Sequence, residues 1–309
     1  MSEDTCRTDP APATGQGAET VFVPLPARAV LRVAGADAHG FLQNLLTCDM
    51  DAVDATGAGY GALLTPQGKI LFDFLVMPAD GGYLLDTWRE TANELARRLG
   101  FYKLRSKVDI ADASETLTVA AAFGRKPEAE SCLVVADPRL AGFGWRVIGP
   151  PVIVGALAGG ETEASYHARR VAFGLPEAPF DFALGDAFPH DADMDDLNGV
   201  AFDKGCFIGQ EVVSRMRHRG TARRRIVQVT GARDLPATGT EILAGDKPAG
   251  TLGTVAGSAG LALVRLDRIA QARARGEPVT AGGVPMEPAL PAFARFAWPE
   301  PSASAETAE

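Results

Sequence analysis

Residues 204–220 read KGCFIGQEVVSRMRHRG, in which Lys204, Gly205 and Cys206 are followed by Gly209, Gln210 and Glu211. In an extended strand, residues i and i+2 project to one side, which sets the Lys204 ammonium beside the Cys206 thiol. A neighbouring cation stabilises the thiolate, the nucleophilic and metal-binding form of cysteine. Gly205 and Gly209 allow backbone turns and close approach of a ligand. Gln210 and Glu211 offer an amide and a carboxylate that orient a ligand or hold Lys204. A lone cysteine is also commonly a small buried hydrophobe, and the residues alone leave both readings of Cys206 open. Cys48, after an amphipathic helix, and Cys132, in a strand pattern, read as structural, and Cys6 stands in a polar terminal stretch.

Downstream, residues 215–225 hold six arginines and no acid, against a formal charge of −9 for the whole chain. Just upstream, residues 186–196 hold five aspartates and no Lys or Arg, so the two runs are expected to pair in part. Arginines left over would suit an anionic partner, RNA phosphate or carboxylate, which guanidinium binds bidentately. The run has no interleaved aromatics for base stacking, and the acidic remainder argues against a nucleic-acid-coating surface. Direct RNA binding is therefore not expected.

The chain has 309 residues, 46% hydrophobic and 22% charged, as in folded domains. That balance excludes pervasive disorder, collagen and a disulfide scaffold. Four cysteines form no C-x-x-C pair, so neither a closed zinc site nor a cysteine-ligated cluster built by one chain is expected. The polar, acidic start lacks an apolar signal core, and no stretch suits a membrane span. Together these features predict a cytoplasmic protein with free thiols.

Strand and helix patterns mix without a strict βαβ rhythm. Strands are expected at 29–33, 60–64, 70–77, 117–123, 133–136 and 145–148. One helix should carry Phe41, Leu42, Leu45 and Leu46 on a face. A second should start at a Thr87/Glu90 capping box, bury Trp88, Leu95 and Leu99, and end at Gly100. A third should cover 163–173, with Gly174 ending it. Within KILFDFLVM, alternation puts Leu71, Asp73 and Leu75 on one face, with Asp73 either at a sheet edge or in a pocket. Tyr166 is either a core aromatic or a stacking platform for a flat ligand. Beyond residue 220 the short strands between Gly/Pro turns have the spacing of a small β-barrel. The expected organisation is disordered tails over 1–19 and 299–309, an α+β body over 20–220 in two subdomains, and a β-barrel over 221–298.

The run at 204–220 resembles the K-G-C-[FY]-x-G-Q-E signature of the YgfZ family, which is related to mitochondrial Iba57 proteins. GADAHGFLQNLLTCDM (35–50) is similar to that family's early motif, with its Thr-x-Asp pair at Thr47 and Asp49. Residues 169–203 resemble the approach to the signature. The resemblance implies an aminomethyltransferase-like fold, as in the glycine cleavage T-protein: a folate-binding α+β body around a central channel, followed by a small β-barrel. It implies a role in assembling, maintaining or repairing [4Fe–4S] clusters of client enzymes, including radical-SAM enzymes that modify tRNA. The partners so implied are iron–sulfur assembly proteins and those clients, and the cofactor is tetrahydrofolate or another folate. Lys204 and Cys206 would be the functional pair, Gly205, Gly209, Gln210, Glu211 and Arg215 would complete the motif, and Tyr166 and Asp73 would face the folate. Any cluster at Cys206 would be transient and shared. The aminomethyltransferases carry paired aspartates where this chain has Asp73 alone. An assembly factor is accordingly expected, and a tetrahydrofolate-dependent one-carbon transferase or demethylase is the alternative.

Overall fold

Alternating apolar side chains build three sheets in the computed structural model, which describes residues 19–220 and 222–300. The tails expected at 1–19 and 299–309 lie outside the described residues except for residues 19, 299 and 300. In chain order the first elements are β1 (Val21–Pro24), β2 (Arg28–Ala34), α1 (Ala38–Leu45), α2 (Met50–Thr56), β3 (Gly59–Leu64), β4 (Ile70–Ala79) and β5 (Gly82–Trp88). They continue with α3 (Arg89–Lys103), β6 (Asp109–Asp112), β7 (Thr118–Phe123), β8 (Leu133–Ala136), β9 (Trp145–Gly149), α4 (Pro151–Leu157), α5 (Glu163–Phe173) and α6 (Gln210–Arg219). The last are β10 (Arg224–Gly231), β11 (Glu241–Ala244), β12 (Lys247–Ala256), β13 (Ala259–Arg265), α7 (Leu266–Arg275), β14 (Val279–Ala281) and β15 (Val284–Ala289).

A five-stranded sheet runs β3-β4-β5-β2-β6 and a four-stranded sheet runs β1-β7-β9-β8. Phe72, Phe74 and Val76 of β4 pack under α1–α3, while Leu75 and Met77 join an inner core shared with the four-stranded sheet. Asp73 keeps the phase of Leu75, but Leu71 does not. The register shifts between Leu63 and Leu64, Leu64 pairing with Ile70, and Leu71 packs with the helix-side core instead. An extra residue in one strand inverts the alternation beyond it. Since β4 is paired on both sides, the edge reading of Asp73 is excluded.

Two local expectations need correction. Thr87 does not cap α3: it is still in β5, and its hydroxyl donates to the Asp73 carbonyl, so the helix starts after Trp88 and runs through Gly100. The extended run that would set Lys204 beside Cys206 is instead a turn, which Gly209 ends at the N-cap of α6 with φ +79°. A Cβ at Gly209 would stand 2.6 Å from the Thr65 carbonyl oxygen and 3.0 Å from the Cα of Gly68. The β3–β4 hairpin turn thus packs backbone to backbone on the motif, which only glycine permits.

The closed barrel runs β10-β13-β12-β11-β14-β15. Val227 and Val229 of β10 point into its core, whereas Ile226 points out to Val171 of α5. A buried ion pair fixes this junction: Arg170 donates to Asp181 at 2.7 Å and to Thr254 Oγ1 at 2.8 Å. Asp181 also accepts from the Thr254 and Glu177 backbone amides at 2.7 and 2.9 Å, so the buried charges lose no hydrogen bonds. No described helix is long and apolar enough to cross a membrane.

Candidate functional site

Strands that look apolar in sequence deliver a cluster of charges to the space between the two sheets. Arg28 from β2 and Arg146 from β9 hold Asp86 of β5 at 2.6 and 3.1 Å. Arg139 binds Asp137 at 2.7 Å and Glu177 at 3.2 Å. Tyr166 donates its hydroxyl to Glu177 at 2.6 Å, and Arg139 reaches the same hydroxyl at 3.1 Å. Beside them, Tyr60 donates to Asp73 at 3.3 Å. All of these side chains are buried.

The charges do not balance. Arg28, Arg139 and Arg146 face Asp73, Asp86, Asp137 and Glu177, which leaves one carboxylate in excess. Asp73 takes that part: burial pushes it up to about 6, Arg28 opposing and Glu177 adding to the rise. Burial would also raise Glu177, but Arg28, Arg170, Arg139 and Arg146 outweigh it and hold that carboxyl far below its ordinary value. Asp73 is therefore the group of this cluster that exchanges a proton near neutrality. Arg146 keeps one terminal nitrogen buried without an acceptor among the described residues.

The Lys204–Glu211 segment makes a separate set of contacts. Lys204 donates to the backbone carbonyls of Leu46 and Cys48 at 2.8 and 2.6 Å, just beyond the end of α1. No hydrogen bond joins Lys204 to Cys206 among the described residues, so bonds to the Leu46 and Cys48 backbone carbonyls stand in place of the ammonium–thiol pairing. Burial pushes the Cys48 thiol up to about 11, against the pull of Lys204. Glu211 does not hold Lys204 either; it pairs with Arg215 one helical turn on, at 2.5 Å. Cys206 is exposed and free, and a Cβ on Gly205 would meet nothing within 4 Å. The motif thus presents its thiol outward on a turn pinned by Lys204 and Gly209.

The early motif serves the same turn. Thr47 donates to the Gly199 carbonyl at 2.6 Å and accepts from the Ala62 amide at 2.8 Å, tying the segment before Lys204 to β3. Asp49 caps α2 and accepts from Gln43 at 2.8 Å. A cavity of about 670 Å³ touches Lys204 and Asp49. A second, of about 360 Å³, runs from Asp49 and Cys48 to Tyr60, whose hydroxyl meets Asp73. Both share Asp49, Ala52, Asn198 and Ala201. Among the described residues no three His, Cys, Asp or Glu side chains are grouped to hold a metal ion.

Asp73 and Tyr166, singled out in the sequence, thus meet in one cluster, whereas Lys204 and Cys206 diverge. The partners of the cluster were missed, although Arg28, Asp86 and Arg146 carry the signal that marked Asp73, a charge inside an apolar strand. The pairing of the two charge runs is present: Arg224 binds Asp191 at 2.7 Å and Asp186 at 3.4 Å, and Arg225 binds Asp195 at 2.5 Å.

Residues 223–296 match the CAF17 C-terminal beta-barrel domain. The chain is 32% identical over 286 residues to human IBA57, the mitochondrial iron–sulfur cluster assembly factor, covering 82% of this chain and 80% of that one. It is 31% identical over 247 residues to the mitochondrial IBA57 homolog of Neurospora crassa, covering 70% of this chain and 56% of that one. In structure it is similar to the glycine cleavage system aminomethyltransferase T of Bartonella henselae, with a TM-score of 0.72, 15% identity, and 90% and 87% of the two chains covered. That likeness shows the fold: an aminomethyltransferase-like body with a closed six-stranded barrel after it. The relatives are mitochondrial by name, which overturns the cytoplasmic expectation. A polar start speaks against a secretory core, but free thiols suit any reducing compartment.

Proposed function

The chain belongs to the IBA57 family of iron–sulfur cluster assembly factors, and we propose that it acts in assembling, maintaining or repairing [4Fe–4S] clusters of client enzymes, radical-SAM tRNA-modifying enzymes among them. The observation that carries the reading is the exposed Cys206 thiol on its pinned turn, with open space at Gly205. In this reading Cys206 transiently engages iron, sulfide or a cysteine of an assembly partner or client. One thiolate supplies one ligand of the four such a cluster takes, so partner thiols complete the set. Lys204 fixes the turn through the Leu46 and Cys48 carbonyls. Gly209, Gln210, Glu211 and Arg215 begin the helix that carries the turn. The test is Cys206→Ala in a host lacking the native chain. Restored activity of [4Fe–4S] enzymes would sink the proposed role of the thiol.

A folate suits the interior chemically. A pterin offers ring N–H and amino donors together with a carbonyl and ring nitrogens that accept, and the cluster has carboxylates, tyrosine hydroxyls and an arginine nitrogen lacking an acceptor. Asp73, Tyr60, Tyr166 and Arg146 would hold it, and when bound it would supply a one-carbon carrier. A second reading, a folate-dependent one-carbon transferase or demethylase, is favoured by one observation: Asp73 is poised at about 6, within reach of acid–base work at neutral pH. Turnover of a methylamine donor by purified protein, abolished in Asp73→Asn and retained in Cys206→Ala, would decide for it.

A further inference from the structure

Three arginines of the basic run, Arg217, Arg219 and Arg223, have no carboxylate partner among the described residues, and two of them face a cavity that neither reading uses. We propose that this cavity of about 440 Å³, between α6, residues 190–195 and the barrel, is a binding site for a small oxyanion carrying phosphate or carboxylate groups. Its polar wall is His190, Asp195, Arg217, Arg223, Arg225 and Asp267, and its apolar wall includes Phe296 and Leu266. The volume is in the range of small-molecule sites, roughly 300–1,000 Å³.

Both carboxylates lining the cavity have partners: Asp195 takes the two terminal nitrogens of Arg225 at 2.5 and 2.9 Å, and Asp267 takes Arg265 at 2.8 and 2.5 Å. The unengaged groups are guanidinium donors and the His190 ring, whose neutral form offers one N–H donor and one acceptor nitrogen. His190 is 2% exposed, yet neither ring nitrogen has a hydrogen-bond partner. The Arg225 side chain is 8% exposed, and its Nε lacks an acceptor. Arg217 lies over the Phe202 ring at 4.0 Å, which leaves its N–H edge available. Behind this wall, burial pushes the Asp193 carboxyl well above its ordinary value, with Arg225 opposing. Buried donors without acceptors are costly, and an entering oxyanion would supply the acceptors. A cation would meet three guanidinium groups and no free carboxylate in this cavity.

The experiment is isothermal titration of the full chain with inorganic pyrophosphate and, separately, citrate, while the His190 imidazole nitrogens are followed by NMR. Saturable one-to-one binding by either probe, with a shift of the His190 resonances, is expected. The probe that binds identifies the source as phosphate or carboxylate. Arg217→Gln and Arg223→Gln, both at the exposed rim, should each weaken binding about tenfold, the equivalent of one charge-assisted contact. Arg97→Gln, on α3 and remote from the cavity, should leave it unchanged. Absence of saturable binding by both probes, binding indifferent to both rim variants, or equal loss in Arg97→Gln would each overturn the proposal.

Discussion

The charge cluster around Glu177 and the turn that carries Cys206 belong to one body yet meet opposite demands. In the cluster, three arginines and four carboxyl groups are sealed from water, and nearly every charge has an opposite within about hydrogen-bond distance. In the turn, the reactive atom is exposed and the surrounding contacts hold backbone, not the thiol. The difference separates two chemistries. A buried group whose ionisation burial alters is suited to proton exchange with a bound small molecule. An exposed thiol on a fixed turn is suited to exchange with another macromolecule, whose own cysteines must reach it.

The comparison breaks most visibly through Arg146. Arg146→Leu leaves Asp86 and Asp137 short of a counter-charge at buried sites. A loss of about 3–5 kcal/mol is expected in urea unfolding. A loss below about 1 kcal/mol would mean that the cluster is hydrated rather than sealed.

Asp73 sharpens the same side of the comparison through pH. Its folded pKa of about 6 lies above the ordinary 3.8, so the folded state holds the proton more tightly than the unfolded chain does. Its penalty is absent below pH 4, grows between pH 4 and 6, and levels off above that at about 3 kcal/mol for a shift of about two units. Asp73→Asn should therefore be more stable than the parent chain at pH 8, with the gap closing near pH 4. Denaturation midpoints at several pH values measure this, and a gap that widens on acidification would reverse the assignment.

On the other side, Gly209→Ala tests whether the turn is truly pinned. The positive φ and the 2.6 Å approach to the Thr65 carbonyl both oppose a Cβ. A loss of about 1–3 kcal/mol is expected, seen as a lowered unfolding midpoint. The smallest effect belongs to the thiol itself. Cys206→Ser should change stability by no more than about 0.5 kcal/mol, as at other exposed sites. In the folded protein, Cys206 should alkylate well before the buried Cys48, and mass spectrometry of the labelled peptides would show the order.

Local patterns carried much of this structure. Helix α5 ends at Gly174 as its sequence implies, since only an αL residue closes that turn easily (φ +73°). Strand β8 spans Leu133–Ala136 as read. Errors arose where a residue's partner is distant in sequence. Thr87 looks like a cap, but the neighbouring strand claims its hydroxyl through Asp73. Lys204 looks like the partner of Cys206, but carbonyls 158 and 156 residues earlier hold its ammonium.

Taken alone, the sequence determined the class of fold, the resemblance carried by the Lys-Gly-Cys motif, and the pairing of an acidic run with a basic one nearby. These are short-range properties: periodicity, turn residues and charges a few tens of positions apart. Tertiary structure alone decided that Asp73 is the surplus carboxyl of a sealed cluster, that Lys204 serves the backbone near Cys48, and that Cys206 faces solvent. Protonation and exposure depend on which groups surround an atom in space. Here β2, β5, β9, α5 and the loops carrying Asp137, Arg139 and Glu177 bring those groups together from residues 28 to 177.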